Sequence, residues 1–176
     1  MGVSADDIKK LRDMTSCGII DCKKALEETN GDFSKAKEVL QKRGLELALK
    51  KGNRAAKEGR VESYIHMGSK LAALVEINCE TDFVAKSPDF SSFVKDVALQ
   101  IVAAAPKYIK QEDIPTDILS TQPDSATFIK ESCLLEQPFV KDPKITIQDY
   151  LNMVIAKLGE NIFVSRFVRY KVGELD

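Results

Sequence analysis

The residues that could perform covalent chemistry in this sequence are few. A protein nucleophile needs a neighbouring base and a third group that orients the base, and a histidine most often supplies that base. The chain has one histidine, His66, in a segment that alternates apolar and polar residues. A histidine on a strand or at the surface explains this position better than a catalytic one. We therefore expect the protein not to be an enzyme.

The cysteines do not form the pattern of a metal site. Cys17, Cys22, Cys79 and Cys133 lack the paired CxxC spacing of a zinc ribbon, and only one histidine is present to help them. Free and mostly buried thiols are the simpler interpretation. We expect no metal ion.

Motifs that hold phosphates are also absent from the sequence. There is no GxxxxGK[ST] loop and no GxGxxG turn between a strand and a helix. Carboxylates such as Glu27, Glu28 and Glu38 lie among lysines, as on solvated helix faces. The sequence therefore predicts no acid–base pair, no cofactor and no nucleotide bound by the chain itself.

Two segments place apolar residues where a surface would normally be polar. In the first, Gly18 interrupts a helical pattern and is followed at once by Ile19 and Ile20. These two side chains either turn inward as a hydrophobic staple or form a docking surface. The pattern favours the staple without excluding the surface.

The second segment is residues 80–86, after an alternating stretch. Thr81 can cap a single helical turn that carries Asp82 and Phe83 at its leading edge. A phenylalanine at this point either plugs the core of its own chain or projects as a wedge toward another protein. Since most aromatic residues are core residues, the pattern alone favours the plug.

Composition restricts the class of protein. In 176 residues, 26 Lys and Arg nearly balance 27 Asp and Glu, so the net charge of -1 gives no general attraction to nucleic acids or anionic membranes. No apolar run reaches the roughly 20 residues that span a bilayer. Residues 1–7 lack the pattern of a signal peptide. We expect no membrane association and an intracellular location, which is the cytoplasm for a bacterial protein and the matrix or stroma for an organellar one.

Periodicity predicts two parts joined by a linker. Residues 1–50 have a helical period with breaks at Gly18 and at Asn30-Gly31, which predicts three short helices with Asp32 capping the third. Residues 51–60 are polar and basic, contain glycines and mark the linker. Residues 61–176 form the second part.

The second part has the pattern of an α+β layer. Period-two stretches on both sides of Gly68-Ser69 predict a β-hairpin. Ser87 and Pro88 open a helix that Pro106 closes, and Thr146 with Asp149 opens another that Gly159 ends. Residues 107–133 have no sustained period and predict irregular structure with one short helix. The stretch 162–172 predicts a third strand, which gives an antiparallel three-stranded sheet covered by helices.

These motifs together resemble the elongation factor Ts family across nearly the whole chain. The most diagnostic stretch is residues 78–86 (NCETDFVAK). The other matching residues are Leu11-Arg12, Thr15, Gly18, 21–26 (DCKKAL), 30–32 (NGD), 54–59 (RAAKEG), 135–140 (LEQPFV), 159–162 (GENI), Arg166-Phe167 and 172–174 (VGE). The resemblance implies that the first part is a three-helix domain of the ubiquitin-associated type.

The resemblance also implies a function and its residues. Members of the family bind the GTPase domain of elongation factor Tu and promote GDP release by disturbing its Mg²⁺ and phosphate site. Asp82 and Phe83 match the pair at the head of the short helix that carries this activity, and Thr81 and Val84 are their neighbours. The resemblance therefore implies that Phe83 projects toward the partner and does not fill the core of its own chain. In the N-terminal module, Ile19 and Ile20 match a contact pair where many relatives carry methionines, and Gly18 and Arg12 belong to the same matching stretch.

The sequence departs from the family pattern between about residues 118 and 133. Short members of the family usually have a longer helical segment there, and long members add a second core lobe. This chain lacks both. It resembles a single hybrid core that begins like the first lobe and ends like the second. Short members tend to pair as homodimers, and the resemblance implies the same here.

An RNA- or ribosome-associated module is the alternative. It would use the basic residues between 42 and 60. A solvated linker explains these residues better, because no aromatic side chains are interleaved among them for base stacking.

Overall fold

A three-stranded antiparallel sheet forms the centre of the second part of the molecule. The computed structural model describes residues 3–15, 17–52 and 54–174. In this sheet β2 (Leu71–Cys79) lies between β1 (Glu58–Ile65) and β5 (Phe163–Lys171). The β1–β2 hairpin turns at Gly68-Ser69, and the last strand pairs antiparallel with β2. The predicted hairpin and third strand are therefore confirmed, and so is the α+β class.

Helices precede this sheet in the chain and also follow its first two strands. The helices are α1 (Ala5–Thr15), α2 (Ile19–Glu28), α3 (Phe33–Lys51), α4 (Asp82–Ala85), α5 (Pro88–Ala104), α6 (Thr116–Ser120), α7 (Ser125–Ser132) and α8 (Ile147–Leu158). Two 3₁₀ turns occupy Gln111–Asp113 and Leu134–Glu136. None of the described helices has the length and apolar character needed to cross a membrane.

The two faces of the sheet have different environments. Val75 and Ile77 of β2 are buried and belong to one core with α5 and α8. On the other face, Val61 and Ile65 of β1 and Leu74 of β2 are exposed although all three are apolar. Helices therefore cover only one face of the sheet.

Local capping defines both long helices of the second part. The Ser87 hydroxyl accepts the Phe90 N–H at 3.2 Å, with Pro88 at the first helical position. Thr146 and Asp149 form a reciprocal capping box at the start of α8, and Gly159, with φ of 75°, ends that helix. The predicted signals are confirmed at these positions.

The segment 107–133 is more regular than predicted. It contains α6, α7 and a 3₁₀ turn in place of one short helix. The carboxylate of Asp124 caps α7 by accepting the backbone N–H groups of Ala126 and Thr127, both at 3.1 Å. Short helices of this kind have too few residues to show a period, so the prediction of mostly irregular structure was wrong here.

A second, two-stranded sheet follows this segment and was not predicted. It pairs β3 (Pro138–Phe139) with β4 (Asp142–Thr146). The buried side chain of Gln100, on α5, holds it in place: its amide nitrogen donates to the Pro138 carbonyl at 3.1 Å, and its oxygen accepts the Val140 N–H at 2.9 Å. A neighbouring amide, Gln137, accepts a further bond from Gln100 at 3.2 Å.

The first three helices have a small core of their own. Leu11, Cys22, Ala25, Leu26 and Leu40 are among its buried members. The third helix is longer than expected, because it continues to Lys51 and its second half packs on α8.

The contact between α3 and α8 is close. Gly44 permits it, since a Cβ there would lie 3.2 Å from the Asn152 carbonyl oxygen. Gln41 adds a hydrogen bond of 2.8 Å to the Asp149 carboxylate. The three-helix part is thus docked on the helix layer of the second part.

The predicted linker 51–60 overlaps both neighbouring elements. The third helix ends at Lys51, and β1 begins at Glu58. Asn53 of that segment lies outside the described residues, as do Met1 and Gly2 of the N-terminal stretch.

Gly59 provides a test of the β1–β2 packing. Its φ is +150°, and a Cβ there would lie 2.2 Å from the Ile77 carbonyl oxygen. Gly59→Ala therefore combines backbone strain with a steric clash, and we expect the clash alone to lower the free energy of unfolding by about 1–3 kcal/mol. Urea denaturation followed by circular dichroism measures this.

Gly68→Ala is the matched control for that substitution. Gly68 also has a positive φ, +86°, but no heavy atom would lie within 4 Å of an added Cβ. It should show only the conformational cost, about 1–2 kcal/mol. Equal stability of the two variants would contradict the predicted clash.

Candidate functional site

The α4 turn presents Phe83 to solvent. The Thr81 hydroxyl caps the turn by accepting the Val84 N–H at 3.3 Å. Val84 and Ala85 are buried in the core beside α5, whereas the Phe83 side chain is 81% exposed. The plug interpretation of Phe83 is therefore wrong. Val84, which was also predicted as a site residue, has a buried side chain that anchors the turn from inside.

Asp82 lies beside Phe83 at the start of the same turn. Its carboxylate accepts a hydrogen bond of 2.6 Å from the Lys86 ammonium, four residues on. This bond holds the pKa of the Asp82 carboxyl below its ordinary value and raises the pKa of Lys86. Both groups are exposed, so the pair adds little to stability. The pair keeps the Asp82 carboxylate ionised next to the exposed ring of Phe83.

A carboxylate from a distant part of the chain holds the start of this turn. Glu160, after α8, accepts the N–H groups of Glu80 and Thr81, each at 3.0 Å, and the Thr81 hydroxyl at 2.6 Å. Sequence reasoning matched residues 159–162 to the family but assigned Glu160 no role. A contact across about eighty residues leaves no periodic signal in a sequence.

The start of α2 exposes the second apolar pair. Ile19 and Ile20 are 55% and 69% exposed, so the inward staple is wrong. Gly18 is the N-cap with extended backbone, and a Cβ there would lie 3.0 Å from the Asp21 carboxylate. Met14, near the end of α1, is exposed as well.

Arg12 and Gly18 lie on a different feature from Phe83. They line a groove between the first two helices and the ends of α5 and α8. Across it, the Lys157 ammonium donates to the Asp89 carboxylate at 2.7 Å. The predicted site residues therefore form two groups, one on α4 and one around the α1–α2 junction.

The cysteines and the histidine considered for covalent chemistry lie in environments that do not increase their reactivity. All four cysteines are free and buried, as interpreted from the sequence. Burial raises the pKa of the Cys79 and Cys133 thiols to about 11, and it also raises those of Cys17 and Cys22. Few thiolates exist near neutral pH under these conditions. His66 is exposed, and within the described residues its ring has one hydrogen-bonding neighbour, the Tyr64 hydroxyl at 3.3 Å.

Two groups of exposed apolar side chains, one on α4 and one at the start of α2, are typical of surfaces that contact another protein. A family model described as "Elongation factor TS" matches residues 9–127 and 124–174. The chain belongs to the elongation factor Ts family. The two matched segments overlap over residues 124–127, at the start of α7, within the stretch where we predicted a departure from the family pattern.

Known elongation factor Ts proteins are similar over almost the whole chain. The protein of that name from Carboxydothermus hydrogenoformans is 46% identical, with 98% of this chain and 90% of the relative aligned. The one from Thermoanaerobacter pseudethanolicus is 46% identical over 98% of this chain and 96% of its own length. For Geobacter sulfurreducens the identity is 45%, with 99% and 91% covered. Membership of this family makes the chain a factor of translation elongation in protein biosynthesis.

The Asp82–Lys86 pair provides a test of the electrostatics of the turn. Lys86→Ala removes the hydrogen bond that lowers the Asp82 pKa, so that pKa should rise to the ordinary aspartate range. Carboxyl carbon shifts followed by NMR across acidic pH measure it. Asp124 is the control, because its pKa is lowered mainly by hydrogen bonds from Thr127 and should stay low. An unchanged Asp82 titration would contradict the assignment.

Proposed function

We propose that the protein is a guanine-nucleotide exchange factor that binds the GTPase domain of elongation factor Tu and promotes GDP release. The observation that carries the proposal is the exposed Phe83 on a capped turn, within the stretch that is most diagnostic of the family. The factor forms no covalent bond and holds no nucleotide. Its effect comes from binding the nucleotide-free partner more tightly than the GDP-bound partner.

Phe83 acts in this mechanism as a wedge between partner helices. Its ring is accessible in the free factor, so the apolar surface that it buries on docking contributes about 1.5–3 kcal/mol. The adjacent Asp82 carboxylate enters the same region of the partner. Displacing the partner's helices disturbs its Mg²⁺ ion and phosphate contacts, and loss of the metal's charge removes much of what holds the β-phosphate.

Exchange then follows from linkage. If the factor weakens GDP binding by some ratio, GDP weakens binding of the factor by the same ratio. The same reciprocity applies to GTP, so excess GTP displaces the factor and completes the cycle.

The N-terminal module supplies a second contact with the same GTPase domain. Ile19 and Ile20 would dock their exposed side chains on a partner helix, with Gly18 and Arg12 beside them. Isoleucine is stiffer at χ1 than the methionine of many relatives, so this surface should fit a narrower range of partners. The proposed division of the chain is an N-terminal three-helix module at 1–50, a linker at 51–60 and an exchange and dimerisation domain at 61–176.

The RNA-binding alternative is less well supported. Several of its basic residues are engaged within the chain: Arg43 with Glu28, Arg54 with Glu80 and Arg60 with Glu62. Lys51 donates to the Gly159 carbonyl. A phosphate-binding surface needs such groups free to release counterions.

The double substitution Asp82→Ala with Phe83→Ala tests the exchange function. It removes two exposed side chains and should leave the fold intact. Stopped-flow measurement of a fluorescent GDP analogue leaving elongation factor Tu should show accelerated release with the natural chain and spontaneous release with the variant.

Met67→Ala is the control for that measurement. Met67 is an exposed apolar residue at the tip of the β1–β2 hairpin, and its loss should leave acceleration unchanged. Unaltered release by the Asp82/Phe83 variant would end the assignment of these residues. Salt-sensitive RNA binding without any exchange would favour the alternative.

We also propose that the chain forms a homodimer through the open face of its sheet. The exposed apolar residues of that face include Val61, Ile65 and Leu74. Beside them the Glu76 carboxylate accepts a hydrogen bond of 2.7 Å from Arg166, whose side chain is largely exposed. A two-fold axis would bring each Glu76 toward the Arg166 of the partner, which makes the face self-complementary.

Sedimentation velocity tests the dimer. The natural chain should sediment as a dimer at micromolar concentration, whereas Leu74→Glu should be monomeric because two carboxylates would be buried near the axis. Met67→Glu, at the hairpin tip, is the control and should remain dimeric. Circular dichroism checks that each variant is folded. A natural chain that is only monomeric at this concentration would refute the dimer.

A further inference from the structure

The loop that follows α8 contacts the α4 turn with a single carboxylate. One oxygen of Glu160 accepts the backbone N–H groups of Glu80 and Thr81, both at 3.0 Å. The other oxygen accepts the Thr81 hydroxyl at 2.6 Å. The hydroxyl is thereby oriented so that its lone pair faces the Val84 N–H, which it caps.

The same loop also contacts the chain that leaves α3. The Asn161 side chain donates to the Arg54 carbonyl at 2.8 Å, and its backbone N–H donates to the Glu80 carboxylate at 2.7 Å. Arg54 in turn pairs with Glu80 at 3.6 Å. Residues 159–161 therefore tie the end of the N-terminal module to the turn that carries Phe83.

The α4 turn depends on such outside support. It has four residues, and an isolated helix of that length is not stable in water. Val84 and Ala85 fix its inner side in the core. Phe83 has an exposed side chain, so its direction is set by the backbone at the start of the turn, and Glu160 holds that backbone.

We propose that Glu160 is a positioning residue for nucleotide exchange: its carboxylate fixes the start of α4 so that Phe83 meets the partner in one direction. This inference rests on the proposed exchange function. Preorganisation of this kind affects the rate of GDP release from the bound complex more than the initial docking of the factor. The initial docking also uses Ile19 and Ile20, which Glu160 does not contact.

Glu160→Ala and Glu160→Gln distinguish the role. Alanine removes all three acceptor contacts, and the freed N–H groups can bind water because Thr81 is exposed and Glu80 half-buried. Glutamine keeps an oxygen for the two N–H groups, and the Thr81 hydroxyl can rotate to accept its amide N–H. The alanine variant should lose exchange, and the glutamine variant should restore most of it.

Asp124→Ala is a matched control. The Asp124 carboxylate makes the same three kinds of contact at the start of α7, with two backbone N–H groups at 3.1 Å and the Thr127 hydroxyl at 2.6 Å. Its loss should weaken that helix without changing exchange.

The experiment is stopped-flow release of a fluorescent GDP analogue from elongation factor Tu over a range of factor concentrations. For Glu160→Ala we expect the maximal rate to fall about tenfold or more, with the half-saturating factor concentration nearly unchanged. Amide hydrogen exchange at Glu80 and Thr81 should accelerate in the same variant. Glu160→Gln and Asp124→Ala should keep maximal rates close to that of the natural chain.

Several results would overturn the inference. These are a natural maximal rate with Glu160→Ala, an equal fall with Asp124→Ala, no rescue by glutamine, or a change confined to the half-saturating concentration. A natural chain that fails to accelerate release would instead remove the proposed function, and the exchange role of Glu160 with it. The natural chain's own curve therefore separates the two failures.

Discussion

Packing of α5 against one face of the sheet is the interaction on which the rest of the structure depends. Phe90 and Phe93 are fully buried there, and burial of each such side chain contributes about 1.5–3 kcal/mol. Because α4 precedes α5 by only two residues, this core also fixes Val84 and Ala85 on the inner side of the turn. With that side occupied, the position just before Val84 on the turn faces outward. The exposure of Phe83 is thus a geometric consequence of core packing.

The contact between α3 and α8 joins this core to the N-terminal helices. Three short helices bury little surface, so the module gains from docking on a larger neighbour. Gly44 makes the approach close, and Gln41 fixes it through Asp149, which also belongs to the α8 capping box. At the other end of α8, Glu160 of the following loop accepts a hydrogen bond from the start of the α4 turn. One helix therefore positions both proposed contact surfaces.

The sequence predicted those elements whose signals are local. Ser87 with Pro88 and Thr146 with Asp149 mark helix starts through bonds to residues three positions away. The direction of Ile19 and of Phe83 could not be read in this way, because a pattern shows that residues are apolar but not what covers them. Only the family resemblance indicated that the Phe83 side chain faces outward.

The elements that were missed depend on distant partners. The two residues of β3 are too few to alternate, and their pairing is set by Gln100, nearly forty positions earlier. Glu160 likewise acts on residues about eighty positions before it. Interactions of this range become visible only when the chain is folded.

The buried amide of Gln100 has a consequence for chain length. Its three hydrogen bonds to Gln137, Pro138 and Val140 can form in only one alignment of this segment with α5. A shift of the segment by one residue would leave buried polar atoms without hydrogen-bond partners. The alignment of residues 137–140 with α5 is thereby fixed, whatever the length of the segment between Gln100 and Gln137. A change of length within that segment would therefore leave β3 at the same position beside α5.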